Sequence, residues 1–214
     1  MSRLLTTPYS ASEEALNVST HAVGFVLSLV ALLALLVQST ATGDVWTILS
    51  FSIFGVSLII TYAVSTIYHS SVAPLRRSRL RIMDHASIYV LIAGTYTPLT
   101  IVTLQGVVGW TIFGISWAMA VVGIVLKLFY TGRYSRLSTL MYIAMRWMIV
   151  FAIMPLKENL PAPGLAWLIA GGVSYTIGAV LYGIKKIPFN HAIFHVFTLM
   201  GSICHFFAVY LYVR

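Results

Sequence analysis

Seven long apolar runs constrain this chain more than any other feature. They lie near residues 18–38, 45–68, 83–104, 107–128, 138–155, 161–183 and 191–213, with only short polar breaks between them. The hydrocarbon core of a bilayer is about 30 Å thick, so a helix crosses it in about 20 residues at 1.5 Å each. Lipid offers backbone groups no partners, so runs of this length must be helices or the strands of a closed barrel. Barrel strands alternate polar and apolar residues over about ten positions, and these runs do not alternate. The fold class expected is therefore all-α, a polytopic seven-transmembrane helix bundle forming one domain over residues 1–214. Composition removes the competing classes. Hydrophobic residues make up 59% of the chain and charged residues 8%, against about 25% charged in a soluble domain. A soluble enzyme domain, a disordered chain and a coiled coil are all excluded.

The net charge of +8 would suggest nucleic acid in a soluble protein. In a membrane protein, basic residues collect in cytoplasmic loops and fix orientation, so no nucleic-acid partner is expected. Arg3, Arg76, Arg77, Arg79, Arg81, Lys127, Arg133, Arg136, Lys185 and Lys186 fall on one side of the seven spans, and only Lys157 and Arg214 on the other. This places the N-terminus in the cytoplasm and the C-terminus outside, the reverse of G-protein-coupled receptors. The last run carries no lysine, which excludes a retinal Schiff base. The single cysteine, Cys204, allows no intrachain disulfide. Met1 to Val18 holds no long apolar run after a basic patch, so no cleavable signal peptide is expected. Ser10 to Glu13 reads as a capping box. Glu13, Asn17 and His21 follow on one helical face, predicting a short interfacial helix near 10–18 that leads into the first span.

Ionisable groups within membrane spans are costly and usually functional. Here they are His21, His69, Asp84, His85, Arg146, His191, His195 and His205. His69 closes the second run, Asp84 and His85 open the third, and His191 and His195 open the seventh. The orientation set by loop charge puts all of these in one cytoplasm-side layer. His191 and His195 are four residues apart, about 6 Å along a helix axis and on nearly the same face, so both imidazoles can reach one point. His69 adds a third nitrogen from a second helix. Three histidines with an open fourth position form the ligand set of a catalytic zinc site. Asp84 has three roles open to it: fourth ligand, hydrogen-bond acceptor beside the metal, or general base for a metal-activated water. Ser65 stands one turn before His69 and could polarise a carbonyl or hold a water. Haem is disfavoured, because axial ligands approach from opposite faces and His191 and His195 share one. His205 lies about 15 Å from His195 along its helix and is read as a hydrogen-bonded core residue, with His21 and His85 as packing or hydrogen-bonding residues. The Arg76–Arg81 cluster is read as a topology signal, with anionic lipid contact a lesser role.

Ser65-Thr-Ile-Tyr-His69, Asp84-His85-Ala-Ser-Ile-Tyr, Ala93-Gly-Thr-Tyr-Thr-Pro98 and Asn190-His191-Ala-Ile-Phe-His195 resemble the bacterial hemolysin III family, part of the progestin and adipoQ receptor superfamily. Ser12-Glu-Glu-Ala-Leu-Asn17 and Thr20-His21 resemble it too, so the likeness spans nearly the whole chain. The resemblance implies a multi-pass protein of the bacterial inner membrane with a Zn2+ site near the cytoplasmic face. It maps the zinc ligands onto His69, His191 and His195, a water-binding aspartate onto Asp84 and a serine onto Ser65. Related alkaline ceramidases use a similar set to hydrolyse a lipid amide. Adiponectin receptors of the superfamily are linked to ceramide hydrolysis, bacterial members to membrane lipid homeostasis. One departure is Arg146, standing before Trp147 where a small residue is expected. By count it lies near the bilayer middle, where it could face the interior as an anion or headgroup contact, pair across helices or snorkel.

Two functions follow. The first is a zinc-dependent hydrolase acting on a lipid amide or ester, with membrane lipids as partners and Asp84 and Ser65 as its catalytic groups. The second is a non-catalytic sensor or receptor-like protein of lipid state, in which zinc clasps the second and seventh spans. A haemolytic pore ranks below both, because the runs carry no continuous polar stripe. A transporter finds no repeat to support it, and Pro98 alone is expected to kink the third helix.

Overall fold

The computed structural model of the chain describes residues 9–130 and 135–214. Arg3, Arg133 and the Arg136 side chain, three of the bases counted for orientation, lie outside the described residues. Among the described residues eight α-helices follow in order: α1 (Ala11–Thr42), α2 (Val45–Ser70), α3 (Pro74–Pro98), α4 (Gly106–Tyr130), α5 (Ser135–Trp147), α6 (Ile153–Asn159), α7 (Ala162–Gly183) and α8 (Asn190–Tyr212). Seven helical segments among the described residues are long and apolar enough to cross a membrane: α1, α2, α3 with its continuation to Leu104, α4, Leu140–Asn159, α7 and α8. The protein is a multi-pass membrane protein of helices. α1 packs along α2, α2 along α3, α3 along α4 and α7 along α8, while α1 returns against α8 and α5 bridges α3, α4 and α7. This closes the ring. The third span is the most enclosed, and the outward faces carry apolar side chains such as Leu33, Val37, Phe129 and Phe151. Many buried hydroxyls bond back to their own helix, as Ser28 to Gly24, Thr61 to Ser57 and Thr95 to Leu91 do, which lets small polar residues line the interior.

Local chemistry explains the breaks. Ser10 Oγ caps α1 by accepting from the Glu13 N–H at 3.2 Å. The helix then runs without interruption from Ala11 to Thr42, so the expected interfacial helix and the first span are one element. Gly43, at φ 69°, closes it, and Asp44 caps α2 by accepting from the Thr47 N–H at 2.8 Å and the Thr47 hydroxyl at 2.6 Å. Those two bonds hold the Asp44 carboxyl below its usual range. α3 begins at Pro74, earlier than its apolar run, and carries the Arg76–Arg81 cluster in its first two turns. At Pro98 the helix does not simply kink. Proline has no N–H for the Gly94 carbonyl, and the ladder widens into a π-helical turn, Leu99–Leu104, closed by Gln105 N–H on Thr100 O at 3.0 Å.

The fifth span is broken for a different reason. The Tyr96 hydroxyl enters its backbone ladder, donating to Arg146 O and accepting from Ile149 N–H, each at 2.9 Å. The chain tightens into a 3-10 stretch over Met148–Ala152 and resumes as α6. A side chain inserted into the ladder is a recognised cause of such a break.

Gly94 shows how closely α2 and α3 cross. A Cβ there would lie 2.4 Å from Ser57 Oγ and 2.6 Å from Ser57 Cβ. Gly94→Ala is expected to cost about 1–3 kcal/mol through overpacking, read as a lowered melting temperature in detergent. An unchanged melting temperature would show that the crossing can spread at no cost.

Candidate metal centre

The ends of α2 and α8 bring the three predicted histidines together. His69 occupies the last turn of α2, and His191 and His195 the first two turns of α8. They are 3%, 7% and 2% exposed. α8 starts abruptly: Phe189 takes a left-handed conformation at φ 56°, and the Asn190 amide donates to Tyr182 O at 2.9 Å, tying the turn to the end of α7. His191 Nε2 lies 3.2 Å from His69 Nε2 and 3.1 Å from His195 Nε2. Ligand atoms of all three lie within 4.8 Å of one another, the one such group among the described residues. Two nitrogens bound tetrahedrally to one zinc at about 2.0–2.1 Å are about 3.3 Å apart, close to both separations.

The proton inventory points the same way. His69 Nδ1 faces Glu14 Oε2 at 2.7 Å, and His195 Nδ1 faces the Asn17 carbonyl oxygen at 3.4 Å. Those oxygens only accept, so both Nδ1 atoms carry hydrogen and, in neutral rings, both Nε2 atoms present bare lone pairs. His191 Nε2, between them, holds one hydrogen at most. Three converging nitrogens share too few protons to satisfy each other, and a cation satisfies all three. The residues present fit a three-histidine metal site.

Rings and acids from α1 and from Tyr9 just before it enclose the triad. Tyr9 stacks on His191 with ring centres 4.7 Å apart, and His21 stacks on His195 at 3.6 Å. Burial pushes the Tyr9 phenol well above its ordinary range. Glu13 does not complete a reciprocal capping box at Ser10; its carboxylate accepts from the His191 backbone N–H at 3.4 Å, at the positive end of α8. Glu14 reaches His69 with one oxygen and Arg77 with the other. The sequence pattern singled out Glu13, Asn17 and His21 on α1 but gave no role at the triad to Glu14, to Tyr9 before the helix or to Arg77 on α3.

Asp84 and Ser65 are neighbours beside this centre. The Ser65 hydroxyl is buried with no well-formed hydrogen bond. Asp84 stands outside the close triad group, with Lys127 as its neighbouring cation. Lys127, counted in the sequence among the bases that set orientation, is buried near the end of α4. Asp84, Lys127, Tyr142, Arg146, Tyr182 and His191 line a cavity of about 120 Å3. On its far side Arg146 and Tyr175 also border a second cavity of about 80 Å3, lined by Leu99, Ile153, Leu156, Leu165 and Leu168. The Arg146 guanidinium lies 3.4 Å from the centre of the Tyr175 ring, a cation–π contact that gives this in-span charge its partner. His85 Nδ1 bonds Arg81 O and His205 Nδ1 bonds Gly201 O, each at 2.7 Å. His85 also borders the Asp84 cavity and His205 the apolar one.

A seven-span helical membrane protein with a buried three-histidine centre and a cavity beside it is the class these features define. The chain belongs to the hemolysin III family: the family model described as "Haemolysin-III related" matches residues 9–206. It is 44% identical over 201 residues to Hemolysin-3 of Bacillus cereus, covering 94% of this chain and 92% of that protein. Over 204 residues it is 43% identical to the Hemolysin-3 homolog of Bacillus subtilis (strain 168), covering 95% and 96%. It is also 29% identical over 208 residues to the monocyte to macrophage differentiation factor of Homo sapiens, covering 94% and 84%. This relation extends to the progestin and adipoQ receptor superfamily.

Proposed function

We propose that this protein is a zinc-dependent hydrolase of the bacterial inner membrane, cleaving a lipid amide or ester at the cytoplasmic face. The observation that carries the reading is the convergence of three imidazole nitrogens beside a cavity bearing a carboxylate, a serine neighbour and an apolar extension. His69, His191 and His195 would hold the zinc, which supplies a Lewis acid and brings the pKa of a bound water to about 7. Asp84 takes the proton as water attacks the carbonyl carbon and delivers it to the leaving amine or alkoxide as the bond breaks. Ser65 donates a hydrogen bond to the carbonyl oxygen as charge develops there. Arg146 anchors the polar part of the lipid, and the leucine-lined cavity beyond it receives the acyl chain. The cytoplasmic placement rests on the basic residues Arg76, Arg77, Arg79, Arg81, Lys185 and Lys186, which flank the ends of α2, α3, α7 and α8 that carry the centre.

A non-catalytic lipid sensor is the second reading, favoured by the way the same three histidines join α2 to α8 as a clasp. A pore is what the relatives' names raise; the apolar outer faces lend it no support. The deciding measurement compares lipid extracts of cells with and without the protein, together with acyl release from a lipid amide by purified protein. Accumulation of an amide-linked lipid in the deleted strain and acyl release in vitro are expected. An unchanged lipid profile with no release removes the hydrolase and leaves the sensor.

A further inference from the structure

The triad is aimed by something outside it. Each histidine reaches the common point with Nε2, and the opposite nitrogen decides whether that is chemically useful. For His69 the opposite nitrogen faces Glu14 Oε2 at 2.7 Å. The other oxygen of the same carboxylate is taken by the Arg77 guanidinium. Arg77 is itself held, donating to Ser71 O at 3.1 Å and lying 5.0 Å over the Tyr68 ring. Three helices therefore meet at one carboxylate: α1 supplies it, α2 the histidine and α3 the arginine.

We infer that Glu14, pinned by Arg77, is a positioning residue for the metal centre, holding His69 in the Nδ1–H tautomer with Nε2 turned to the ion. This deepens the reading of the triad as a metal site and rests on it. A carboxylate facing the far nitrogen of a metal-bound histidine fixes the ring's tautomer and raises its basicity. Arg77 adds two things. It offsets the cost of placing a carboxylate in a partly buried position, and it occupies the oxygen that would otherwise be free to turn toward the cation. The adjacent residue acts on the other ligand helix, since Glu13 accepts from the His191 N–H at 3.4 Å. The first turn of α1 thus holds both elements that carry ligands. A plain salt bridge tying α1 to α3 would need no third partner, and here the third partner is a triad member.

The test is metal affinity of the purified full-length protein in detergent, by competition with a chelator for zinc. The visible spectrum of the cobalt-loaded protein serves as a second readout. Glu14→Ala is expected to weaken zinc binding about ten- to a hundred-fold and to shift the cobalt bands. Glu14→Gln keeps an acceptor oxygen without charge and falls between wild type and alanine. Arg77→Gln loses affinity in the same direction and by less, while Arg79→Gln, equal in charge change but on another face, binds as wild type does. Affinity within about twofold of wild type for Glu14→Ala, with an unchanged cobalt spectrum, overturns the inference even if the variant melts earlier. If the alanine variant does not fold, the near-isosteric Glu14→Gln decides the matter by the same two readouts. Wild-type protein that binds no zinc or cobalt overturns both this inference and the metal reading beneath it, whereas tight wild-type binding with an indifferent Glu14 overturns this one alone.

Discussion

His191→Ala is expected to reduce bound zinc from about one ion per chain to about a tenth of that or less, and to abolish hydrolysis of a lipid amide. His191 is the central member of the triad, its Nε2 within 3.2 Å of both other ligand nitrogens. Without it the two remaining nitrogens lose the atom that bridges them, and two imidazoles alone make a poor zinc site. The loss should not be one of folding. His191 stands in the first turn of α8, and Asn190, which ties that turn to α7, is untouched. Elemental analysis of the purified variant, with helix content followed by circular dichroism, reads the result. Val196→Ala, five residues on and on the outer face of α8, should keep its zinc. Stoichiometric zinc in folded His191→Ala would remove the triad as the metal site.

How much of this centre could be read from the chain depends on how local each piece is. The pairing of His191 with His195 follows from helical geometry alone, since four residues return to the same face. His69 needs one more step, the orientation drawn from loop charge, which sets depth but not rotation. Rotation is where pattern fails. Glu13 and Glu14 are adjacent and differ by about 100° around α1. Which of them meets His69 depends on how α1 is turned against α2, and that is settled by close packing such as Tyr62 against Gly24. Arg146 shows no partner in the sequence because Tyr175 lies 29 positions away on a helix that neighbours it only in the closed ring. The widened turn after Pro98 and the break at Tyr96 are hidden similarly. Proline announces that the ladder must change, not which form it takes, and Tyr96 acts on a span some 50 residues later. Lys127 counts toward orientation from its place at the end of an apolar run, but the run does not tell that this helix end is covered.

Asp84→Asn separates chemistry from clasp, and its expected result is a fall of about a hundred- to ten-thousandfold in turnover with zinc content and melting temperature unchanged. The substitution is nearly isosteric. An asparagine beside Ser65 and Lys127 still fills the wall of the cavity and still offers an oxygen to a donor, but it cannot receive a proton from water at neutral pH. Asp84 is not one of the converging ligands, so removing its charge should leave the triad's hold on the ion intact. A structural clasp joining α2 to α8 depends on the three histidines and not on Asp84. A sensor would therefore keep its fold, its metal and its output in the Asn variant. Turnover and metal content must be measured on the same preparation, because only their divergence is diagnostic. Retained zinc with lost turnover assigns Asp84 to proton transfer. Joint loss of zinc and turnover makes Asp84 part of the metal's hold instead, and retained turnover at the wild-type rate removes it from the mechanism and leaves the nearby Ser65 without a catalytic partner.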